Sequence, residues 1–410
     1  MRRAPEQRRQ GRIRAALLTW LGVPARLTDS EFVDALVGAS SRSGVTVTHE
    51  SMLQLSAVWA CARLISETIA TLPLVLYERA GSGRRAAPQH PLYSVLHSQP
   101  NVTTTAAVHW EATVAAMLLW GNARAEKLMV GPRVVGLRFL YPARLAPKRP
   151  GVWAYTERNG AAREIPEERI FKIPGFTLDG ENGLSVVRYG AQVFGSAIAA
   201  EQAAGTTFKN GLLPTTYFKI ERTLSPAQRE EFRTSLKRIS GALNAGESPL
   251  LEAGMDVGNV GIDPTDAQLL ETRAFGVEEI CRWFRVPPFM VGHAEKSTSW
   301  GTGIEQQVIG FLTFTLRPWL TRIEQAIAKD LLTPAERERY YAEFVVEGLL
   351  RADSNGRSAY YSTMVNNGLM TRDEVRRREN LEEQGGNAAR LTVQGAMTLL
   401  DSIGGPPAQG

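Results

Sequence analysis

The side chains most capable of chemistry are scattered along this sequence rather than grouped. The two cysteines, Cys61 and Cys281, each lie within an apolar helical pattern, which indicates buried thiols in a reducing compartment. No CxxC pair or Cys/His cluster of the type that binds zinc is present. The five histidines are isolated, and we interpret each as a surface or hydrogen-bonded residue instead of a ligand: His49, His90, His97, His109 and His293.

Sequence motifs of catalysis are also missing. There is no GxxxxGK followed by Ser or Thr, no HExxH and no GxSxG, since Gly183–Leu184–Ser185 lacks the second glycine. The carboxylate pairs Glu278–Glu279 and Glu382–Glu383 fit solvated helix or loop positions. The sequence therefore predicts no catalytic residue, no metal site and no cofactor.

The composition sets broad limits. The 410 residues are 43% hydrophobic and carry a net charge of +5, which allows two or three domains and gives only weak support for nucleic-acid binding. The first 26 residues contain seven arginines and one acid, Glu6, so they form either a disordered or surface-lying tail or an arm that contacts DNA or a partner. The apolar stretch Ala15–Leu21 is short and has no clear cleavage site, which argues against a signal peptide. No apolar run reaches the roughly 18 to 20 residues that a membrane-spanning helix needs.

Hydrophobic periodicity predicts an α+β unit at residues 51–183. Helices are expected at 55–69 and 105–120, where Pro73 and Gly121–Asn122 end the helical patterns. Strands are expected at 74–77, 123–130, 134–140, 152–157 and 169–173, with turns at Gly131–Pro132 and Asn159–Gly160.

The middle of the chain predicts a small unit carried between two long helices. The helices span about 185–209 and 263–286, and the second is about 35 Å long at 1.5 Å per residue. The unit between them, 212–262, contains a strand at 215–220, a helix opened by Ser225–Pro226 and a second strand at 249–251. This order indicates that the small unit stands away from the main body on a stalk.

The last third of the chain is predicted to be mainly helical. A polar, glycine-rich loop at 292–303 precedes a helix at 304–331, and Pro318 should kink that helix because proline removes one helical hydrogen bond. The elements that follow are a strand at 341–350, helices from about Ser354 and Thr371, and a Gly/Pro-rich tail after Leu400 that is predicted to be disordered.

Several short motifs occur in a fixed order between about residues 50 and 385. They are Ser56–Cys61 with Ile69–Leu74, His90–Leu92 followed by Gln99–Asn101, Leu118–Ala123, Gly183–Ser185, Phe208–Gly211, Arg282–Pro288, Thr298–Gln307 and Thr315–Pro318. Each motif is weak on its own. In this order, the chain resembles the portal proteins of tailed double-stranded DNA phages and their relatives in gene transfer agents.

The C-terminal part departs from that family pattern. Asp373 stands where the family often has Asn in a Thr-x-Asn-Glu-x-Arg stretch, and the proline usual near Glu382–Gln384 is missing. These differences leave the detail of the C-terminal helices open.

The resemblance implies an α+β, portal-type elongated subunit with a wing, a helical stem, a small α/β clip and a C-terminal helical crown. The implied ranges are 1–50 for the basic arm and linker, 51–183 for the wing, 184–211 and 263–288 for the stem helices, 212–262 for the clip, 289–352 for the tunnel loop, kinked helix and wing strand, 353–400 for the crown helices, and 401–410 for a disordered tail.

The resemblance also implies a function without catalysis. Portal proteins form a ring, commonly of twelve subunits, at one capsid vertex, and double-stranded DNA passes through it during packaging and ejection. The implied partners are other copies of the chain, DNA contacted without regard to sequence, the terminase large subunit, neck or adaptor proteins, and capsid and scaffold proteins, with no membrane. The implied location is the virion, with the host cytoplasm during assembly.

Two sets of site residues follow from the resemblance. The loop at 292–303 corresponds to the tunnel loop. Its lysine and hydroxyl side chains would contact DNA phosphates without recognising bases, and its tryptophan would anchor the loop to the protein. Without the resemblance, a plain surface loop is favoured. The helix at 226–240 corresponds to the terminase-docking face of the clip; the alternative is a solvated face. The residues are Lys296, Ser297, Thr298, Ser299 and Trp300 in the loop, and Arg229, Glu230, Arg233, Lys237 and Arg238 in the helix.

Charge agrees with passage of DNA rather than tight binding. The range 212–262 has as many acidic as basic side chains, and each phosphate neutralised would strengthen binding in a salt-dependent way. Two other classes stay open: a nucleic-acid-processing enzyme subunit with an unrecognised site, and a monomeric DNA-binding module that uses the basic arm. Particle size separates the first from a portal, and deletion of residues 1–26 tests the second.

Overall fold

The computed structural model describes residues 38–81, 83–210, 216–220, 225–239, 255–259, 266–293, 302–346, 354–379 and 381–392. The chain divides into two compact units, Met1–Phe344 and Val345–Gly410. The mixed helix and sheet content confirms the α+β class. The predicted basic arm, the strand at 249–251 and the C-terminal tail lie outside the described residues.

The first unit opens with a short antiparallel hairpin and then alternates helices with strands. A helix that the sequence reading missed, α3, is opened by Pro91 in its first turn, and the ring nitrogen of His90 accepts the N–H of Leu92. The elements in order are β1 (Ala39–Ser40), β2 (Thr46–Val47), α1 (His49–Leu53), α2 (Ser56–Thr71), β3 (Leu74–Ala80), β4 (Gly83–Ala86), α3 (Pro91–His97) and α4 (Ala106–Trp120).

Helices α2 and α4 pack against each other and carry much of the core. Val58 and Ile65 of α2 are fully buried, and burial of each such side chain contributes about 1.5–3 kcal/mol. Helix α4 begins where the Thr105 hydroxyl accepts the N–H of Val108. It ends at Gly121, whose φ of 82° lies in the left-handed region that favours glycine. Both helices and both stops were predicted from the sequence, and both are confirmed.

Residues 122–174 form two antiparallel, three-stranded sheets. The first has the order β10–β5–β6 and the second has the order β7–β8–β9. The strands are β5 (Asn122–Val130), β6 (Arg133–Phe139), β7 (Leu145–Arg149), β8 (Val152–Thr156), β9 (Ala162–Pro166) and β10 (Ile170–Pro174).

Two of these strands were missed by the sequence reading, and the cause is visible. Strand β7 contains Pro147 and strand β9 ends at Pro166, and proline argues against a central strand because it donates no ladder hydrogen bond. Both are edge strands, and the β7–β8 ladder slips between Pro147 and Arg149. The hairpin predicted at Asn159–Gly160 is confirmed between β8 and β9, with Gly160 at φ 84°.

The long helix predicted at 185–209 is divided in two. Helix α5 (Val186–Tyr189) is followed by Gly190 outside helical geometry and then by α6 (Ala191–Asn210). A Cβ atom at Gly190 would lie 2.3 Å from the ring of Phe194, so the chain turns at a residue without one. The continuity predicted from the sequence was therefore wrong at this point.

The small unit after α6 has a strand, a helix and a second strand. Strand β11 (Thr216–Ile220) pairs antiparallel with β12 (Met255–Asn259), and α7 (Pro226–Ile239) connects them. The strand predicted at 215–220 and the helix opened by Ser225 are confirmed. The strand predicted at 249–251 lies outside the described residues. Helix α8 (Asp266–Phe284) follows in the sequence and packs against α6.

The helix predicted at 304–331 changes its winding midway. It consists of α9 (Thr302–Gly310), a π-helical segment (Phe311–Leu316) and α10 (Arg317–Asp330). Pro318 therefore sits in the first turn of α10, where a missing N–H costs little. The prediction of one regular α-helix over 304–331 was wrong. The predicted bend at Pro318 stays a prediction.

The end of the first unit closes a third sheet. Thr333 and Glu336 form a reciprocal capping box at the start of α11 (Pro334–Arg339). Strand β13 (Tyr340–Phe344) then pairs with β3, giving the order β13–β3–β4. The strand was predicted to extend to residue 350, and residues 347–350 lie outside the described part of the chain.

The second unit contains two described helices, α12 (Ser354–Asn366) and α13 (Arg372–Arg378). Thr371 and Glu374 cap α13 reciprocally. Asp373 is buried, and its two carboxylate oxygens accept the backbone N–H groups of Gln384 and Gly385, each at 2.9 Å. The carboxylate that departs from the family pattern thus holds the segment after α13.

Candidate functional site

Three glycines and an asparagine from distant motifs meet where α4 ends. Gly121, Asn122, Gly175 and Gly183 form what we call the glycine joint. The side-chain amide of Asn122 donates to the Gly183 carbonyl at 3.2 Å and accepts the Gly183 N–H at 3.0 Å. The Gly175 N–H donates to the Gly121 carbonyl at 2.7 Å. Two of the motifs that carry the family resemblance are therefore parts of one contact.

The glycine joint admits no side chains at its closest points. A Cβ atom at Gly183 would lie 1.8 Å from the carbonyl oxygen of Gly121, and one at Gly175 would lie 2.8 Å from the same oxygen. The Arg322 guanidinium of α10 donates to the Gly175 carbonyl at 2.7 Å. The glycine joint and the Arg322 hydrogen bond together hold the segment before α5 against the end of α4 and against α10.

A second contact joins α2 to α8. The sulfurs of Cys61 and Cys281 lie 4.0 Å apart and both residues are buried, as the sequence predicts. The hydrogen bond to Cys281 and burial raise the pKa of the Cys61 thiol. The same hydrogen bond lowers the pKa of Cys281. The two thiols touch across a helix pair although 220 residues separate them.

Helix α8 ends in an unusual turn before the predicted tunnel loop. Arg285 has φ 57°, in the left-handed region, and the Val286 N–H donates to the Cys281 carbonyl at 3.0 Å. The Thr315 hydroxyl of the π-helical segment donates to the Arg285 carbonyl at 2.5 Å. Pro287 and Pro288 then lead into a short 3₁₀ turn, Pro288–Val291.

An ion cluster lies at the N-terminal base of the predicted tunnel loop. Arg282 contacts Glu279 at 2.5 Å and Glu278 at 3.7 Å. The His293 ring lies 3.9 Å from the second of these carboxylates. His293, at the start of the loop, is thereby placed beside the acidic face of α8.

Two open cavities flank the end of α8 and share Arg282, Arg285, Thr315 and Pro318 in their walls. Their volumes are about 710 Å³ and about 850 Å³. Large aromatic side chains stand exposed around them, and we call this group the aromatic face: Phe176, Tyr189, Trp283 and Phe314, with 62%, 51%, 40% and 71% of their surface exposed.

The predicted tunnel-loop residues lie outside the described part of the chain. These are Lys296, Ser297, Thr298, Ser299 and Trp300. The loop was predicted to reach residue 303, but Thr302 and Gly303 already belong to α9. The assignment of the loop to a DNA channel stays a prediction.

The predicted docking helix is partly described. The Ser225 hydroxyl accepts the Gln228 N–H at 3.3 Å, and the Gln228 side chain accepts the Ser225 N–H at 3.1 Å, which confirms the predicted cap of α7. Arg229 and Glu230 are exposed on its first turns. The side chains of Arg233, Lys237 and Arg238 lie outside the described residues, and docking stays a prediction.

Two histidines are buried. His109 is buried and neither ring nitrogen has a hydrogen-bond partner; burial lowers its pKa to about 4. His49 is buried against Trp120, with ring centroids 4.3 Å apart, and burial lowers its pKa to about 4. The prediction of a surface or hydrogen-bonded residue was wrong for His109, because the packing around α4 encloses a ring that reaches no polar atom.

Within the described ranges, no group of three His, Cys, Asp or Glu side chains is placed to bind a metal ion. No helix in the described part is both long and apolar enough to cross a bilayer.

Comparison with known proteins gives the family. The sequence model of the phage portal protein family matches residues 56–380. The portal protein of Enterobacteria phage HK97 is 35% identical over 358 residues, covering 85% of this chain and 84% of the relative. The probable portal protein of Streptomyces phage phiC31 is 33% identical over 359 residues, covering 84% and 78%.

Solved structures show the same fold. The fold matches a chain in the neck of a native gene transfer agent particle computed with C12 symmetry, with TM-score 0.55 and 22% identity over 87% of this chain and 99% of that one. It also matches an HK97-family portal protein from Corynebacterium diphtheriae, with TM-score 0.57 and 18% identity over 75% and 99%. The family match covers most of the chain, and a relative with 35% identity covers 85% of it: this chain belongs to the phage portal protein family.

Proposed function

We propose that this chain is the subunit of a twelve-membered portal ring at one vertex of a phage or gene-transfer-agent capsid. The observation that carries the proposal is the family match over residues 56–380, together with a fold shared with a chain of a C12-symmetric neck. The ring is the channel for packaging and ejection of double-stranded DNA, and no catalytic step is assigned to it.

The parts of the chain are assigned to the parts of a portal subunit on the basis of element order. Residues 51–183 form the wing, 184–211 and 263–288 form the stem, and 212–262 form the clip. Residues 289–352 provide the tunnel loop, the interrupted helix and a strand that returns to the wing sheet. Support comes from β13, which pairs with β3 of the wing, and from α6 packing against α8 on either side of the clip. Residues 353–400 form the crown.

The aromatic face supports assembly with other copies. A soluble monomer rarely exposes several large apolar side chains together, and such groups mark interaction sites. A closed ring needs two different surfaces on each subunit that fit one another. In the proposed ring, a neighbouring subunit covers the aromatic face.

Contacts with DNA and with the terminase are assigned to the tunnel loop and the clip. The ring passes DNA without reading its sequence, so the contacts are to phosphates. The terminase large subunit and later the neck proteins dock on α7, and capsid and scaffold proteins surround the ring during assembly in the host cytoplasm. These roles follow from the family.

The test of the proposal is particle size and shape. Twelve chains of 45.0 kDa give a particle of about 540 kDa with a central hole, visible by negative-stain microscopy and mass photometry. Because some portals assemble only with scaffold, the measurement is made with and without co-expressed scaffold. A monomer under both conditions contradicts the ring.

The channel role is tested separately in particles that assemble. Removal of Ser297–Ser299 should leave the ring intact and change packaging or retention of DNA, and Trp300→Ala should have a larger effect because the loop loses its anchor. Full-length genomes packaged and retained by both variants as by the parent would assign this segment to an ordinary surface loop.

A further inference from the structure

The two cysteines of the chain lie in contact at the junction of the body and the helix that leads to the tunnel loop. Cys61 belongs to α2, whose apolar face is part of the core, and Cys281 lies in the last turn of α8. Their sulfurs are 4.0 Å apart, while a disulfide bond is about 2.05 Å long. The remaining gap of about 2 Å is within reach of side-chain rotation combined with a small helix movement.

We propose that Cys61 and Cys281 form an intramolecular disulfide when the particle leaves the reducing host cytoplasm, and that this bond fixes the end of α8 to the body. The proposal rests on the proposed function for its timing, because a virion component passes from the reducing host cytoplasm to an oxidising environment. The chain has two cysteines in all, so no other pairing within one chain competes.

The position of Cys281 gives the bond its consequence. Its carbonyl accepts the Val286 N–H, which closes the turn at Arg285, and the Arg285 carbonyl in turn accepts the Thr315 hydroxyl. A covalent tie at Cys281 therefore holds the turn from which the chain enters the predicted tunnel loop. The same turn contacts the π-helical segment after α9, so the tie at Cys281 also bears on the helix that follows the loop.

The chemistry needs an oxidant, which we take to be hydrogen peroxide. The Cys281 sulfur is the one that ionises, because the hydrogen bond from Cys61 lowers its pKa. Its thiolate attacks one peroxide oxygen, the O–O bond breaks, and Cys281 sulfenic acid and hydroxide form. The Cys61 sulfur then displaces the sulfenic oxygen, the S–S bond forms, and the thiol proton leaves in water. Two thiols and one peroxide give one disulfide and two waters.

The experiment uses the full chain, purified with reductant and then freed of it. Hydrogen peroxide is added in a dose series, and the protein is denatured, alkylated and weighed intact. We expect the oxidised chain to lose two hydrogen atoms, to take up no alkyl group and to run as a single chain on a non-reducing gel. The thermal midpoint should rise on the order of 5 °C and return on addition of dithiothreitol, since the bond closes a long loop.

The matched controls are Cys61→Ser and Cys281→Ser, each of which keeps one thiol and should show no oxidant-dependent rise. Chains alkylated from released particles should carry the bond, and chains alkylated in intact cells should carry free thiols.

The proposal is overturned if both thiols of the oxidised parent remain alkylatable, if disulfides join separate chains, or if chains in released particles keep free thiols. The first two readings come from the purified chain and do not require a ring, whereas the third is made only on particles that assemble. Failure to assemble therefore counts against the proposed function alone, and free thiols count against the disulfide alone.

Discussion

The glycine joint and the aromatic face are built in opposite ways. In the glycine joint, backbone meets backbone, and the side chain of Asn122 is fully buried with its amide bonded to Gly183. In the aromatic face, large apolar side chains stand exposed beside open cavities. The contacts of the joint all lie within one chain, whereas the proposed ring would cover the aromatic face with a neighbouring subunit. Substitutions in the two regions should therefore separate subunit stability from ring formation.

The largest effect on the free energy of unfolding is expected from Gly183→Ala. The new Cβ would lie 1.8 Å from the Gly121 carbonyl oxygen, so the two backbones must move apart. We expect a loss of about 3–5 kcal/mol, measured by chemical denaturation. The control is Gly205→Ala in α6, where no atom lies within 4 Å of the new Cβ. That variant should gain about 0.5–1 kcal/mol from helix propensity, and equal losses in both would contradict the close-packed joint.

Lowering the pH should destabilise the core around α4. His49 and His109 have pKa values lowered to about 4, whereas the unfolded chain binds their protons below about 6.5. Their contribution to stability is therefore complete above about pH 6.5 and is lost as the pH falls to about 4, on the order of 3 kcal/mol for each histidine. The free energy of unfolding, measured by chemical denaturation at a series of pH values, should fall as the pH is lowered from about 6.5 to about 4.

The variant His109→Leu removes one of the two protonation sites and breaks no hydrogen bond of the ring. It should flatten the pH dependence between about 6.5 and 4 relative to the parent. An unchanged slope would mean that another group is responsible.

A smaller loss is expected from Asn122→Ala. It removes both amide hydrogen bonds to Gly183 and leaves a buried carbonyl and N–H unpaired, at a cost of about 2 kcal/mol. Asn122→Asp is the matched variant: it can still accept the Gly183 N–H but cannot donate to the carbonyl. If Asp behaves like Asn, the bond that Asn122 donates to the Gly183 carbonyl contributes nothing to stability.

Phe314→Glu should change subunit stability by no more than about 0.5 kcal/mol, because 71% of the side chain is exposed. Ring assembly should nevertheless fail, since a charge would be buried against the neighbouring subunit. Val130→Glu, at a residue that is 67% exposed on the β5–β6 hairpin, is the control and should assemble normally. Mass photometry compares the two, and rings from Phe314→Glu would place the subunit contact elsewhere.

The smallest effect on the subunit is expected from Arg229→Glu combined with Lys237→Glu on α7. Stability and ring formation should be unchanged, and docking of the terminase should be weakened because the charge pattern is reversed. A packaging assay with purified motor gives the measurement. Packaging at the parental rate would favour a solvated helix face.

Local signals predicted the parts of this fold that depend on neighbouring residues. The stop at Gly121, the hairpin at Asn159–Gly160 and the cap at Ser225 were all recognised from spacing and residue type. Strands β7 and β9 were missed because prolines mark them as non-strand, and edge positions tolerate those prolines.

The candidate site depended on contacts that spacing does not encode. Gly121 and Gly183 meet in space, as do Cys61 and Cys281, and no periodicity joins positions so far apart in one chain. The structure shows that two of the motifs, those with Gly121 and Gly183, form one contact. The winding change before Pro318 was also missed, since the proline predicted a disturbance of the helix but not its kind.

The π-helical segment changes the direction in which the side chains of α9 face relative to those of α10. Each residue of an α-helix rotates the chain about the helix axis by about 100°. A π-helix, with its i to i+5 hydrogen bonds, rotates the chain less per residue. Over the six residues of this segment, the rotation therefore falls short of that of a regular α-helix by roughly 100°. The buried stripe of α10, which includes Leu320 and Ile323, is therefore out of phase with α9, where Ile309 is exposed. Deleting one residue from the segment would bring the two stripes into line and turn the whole of α9, with the loop attached to it, to face a different side of the subunit.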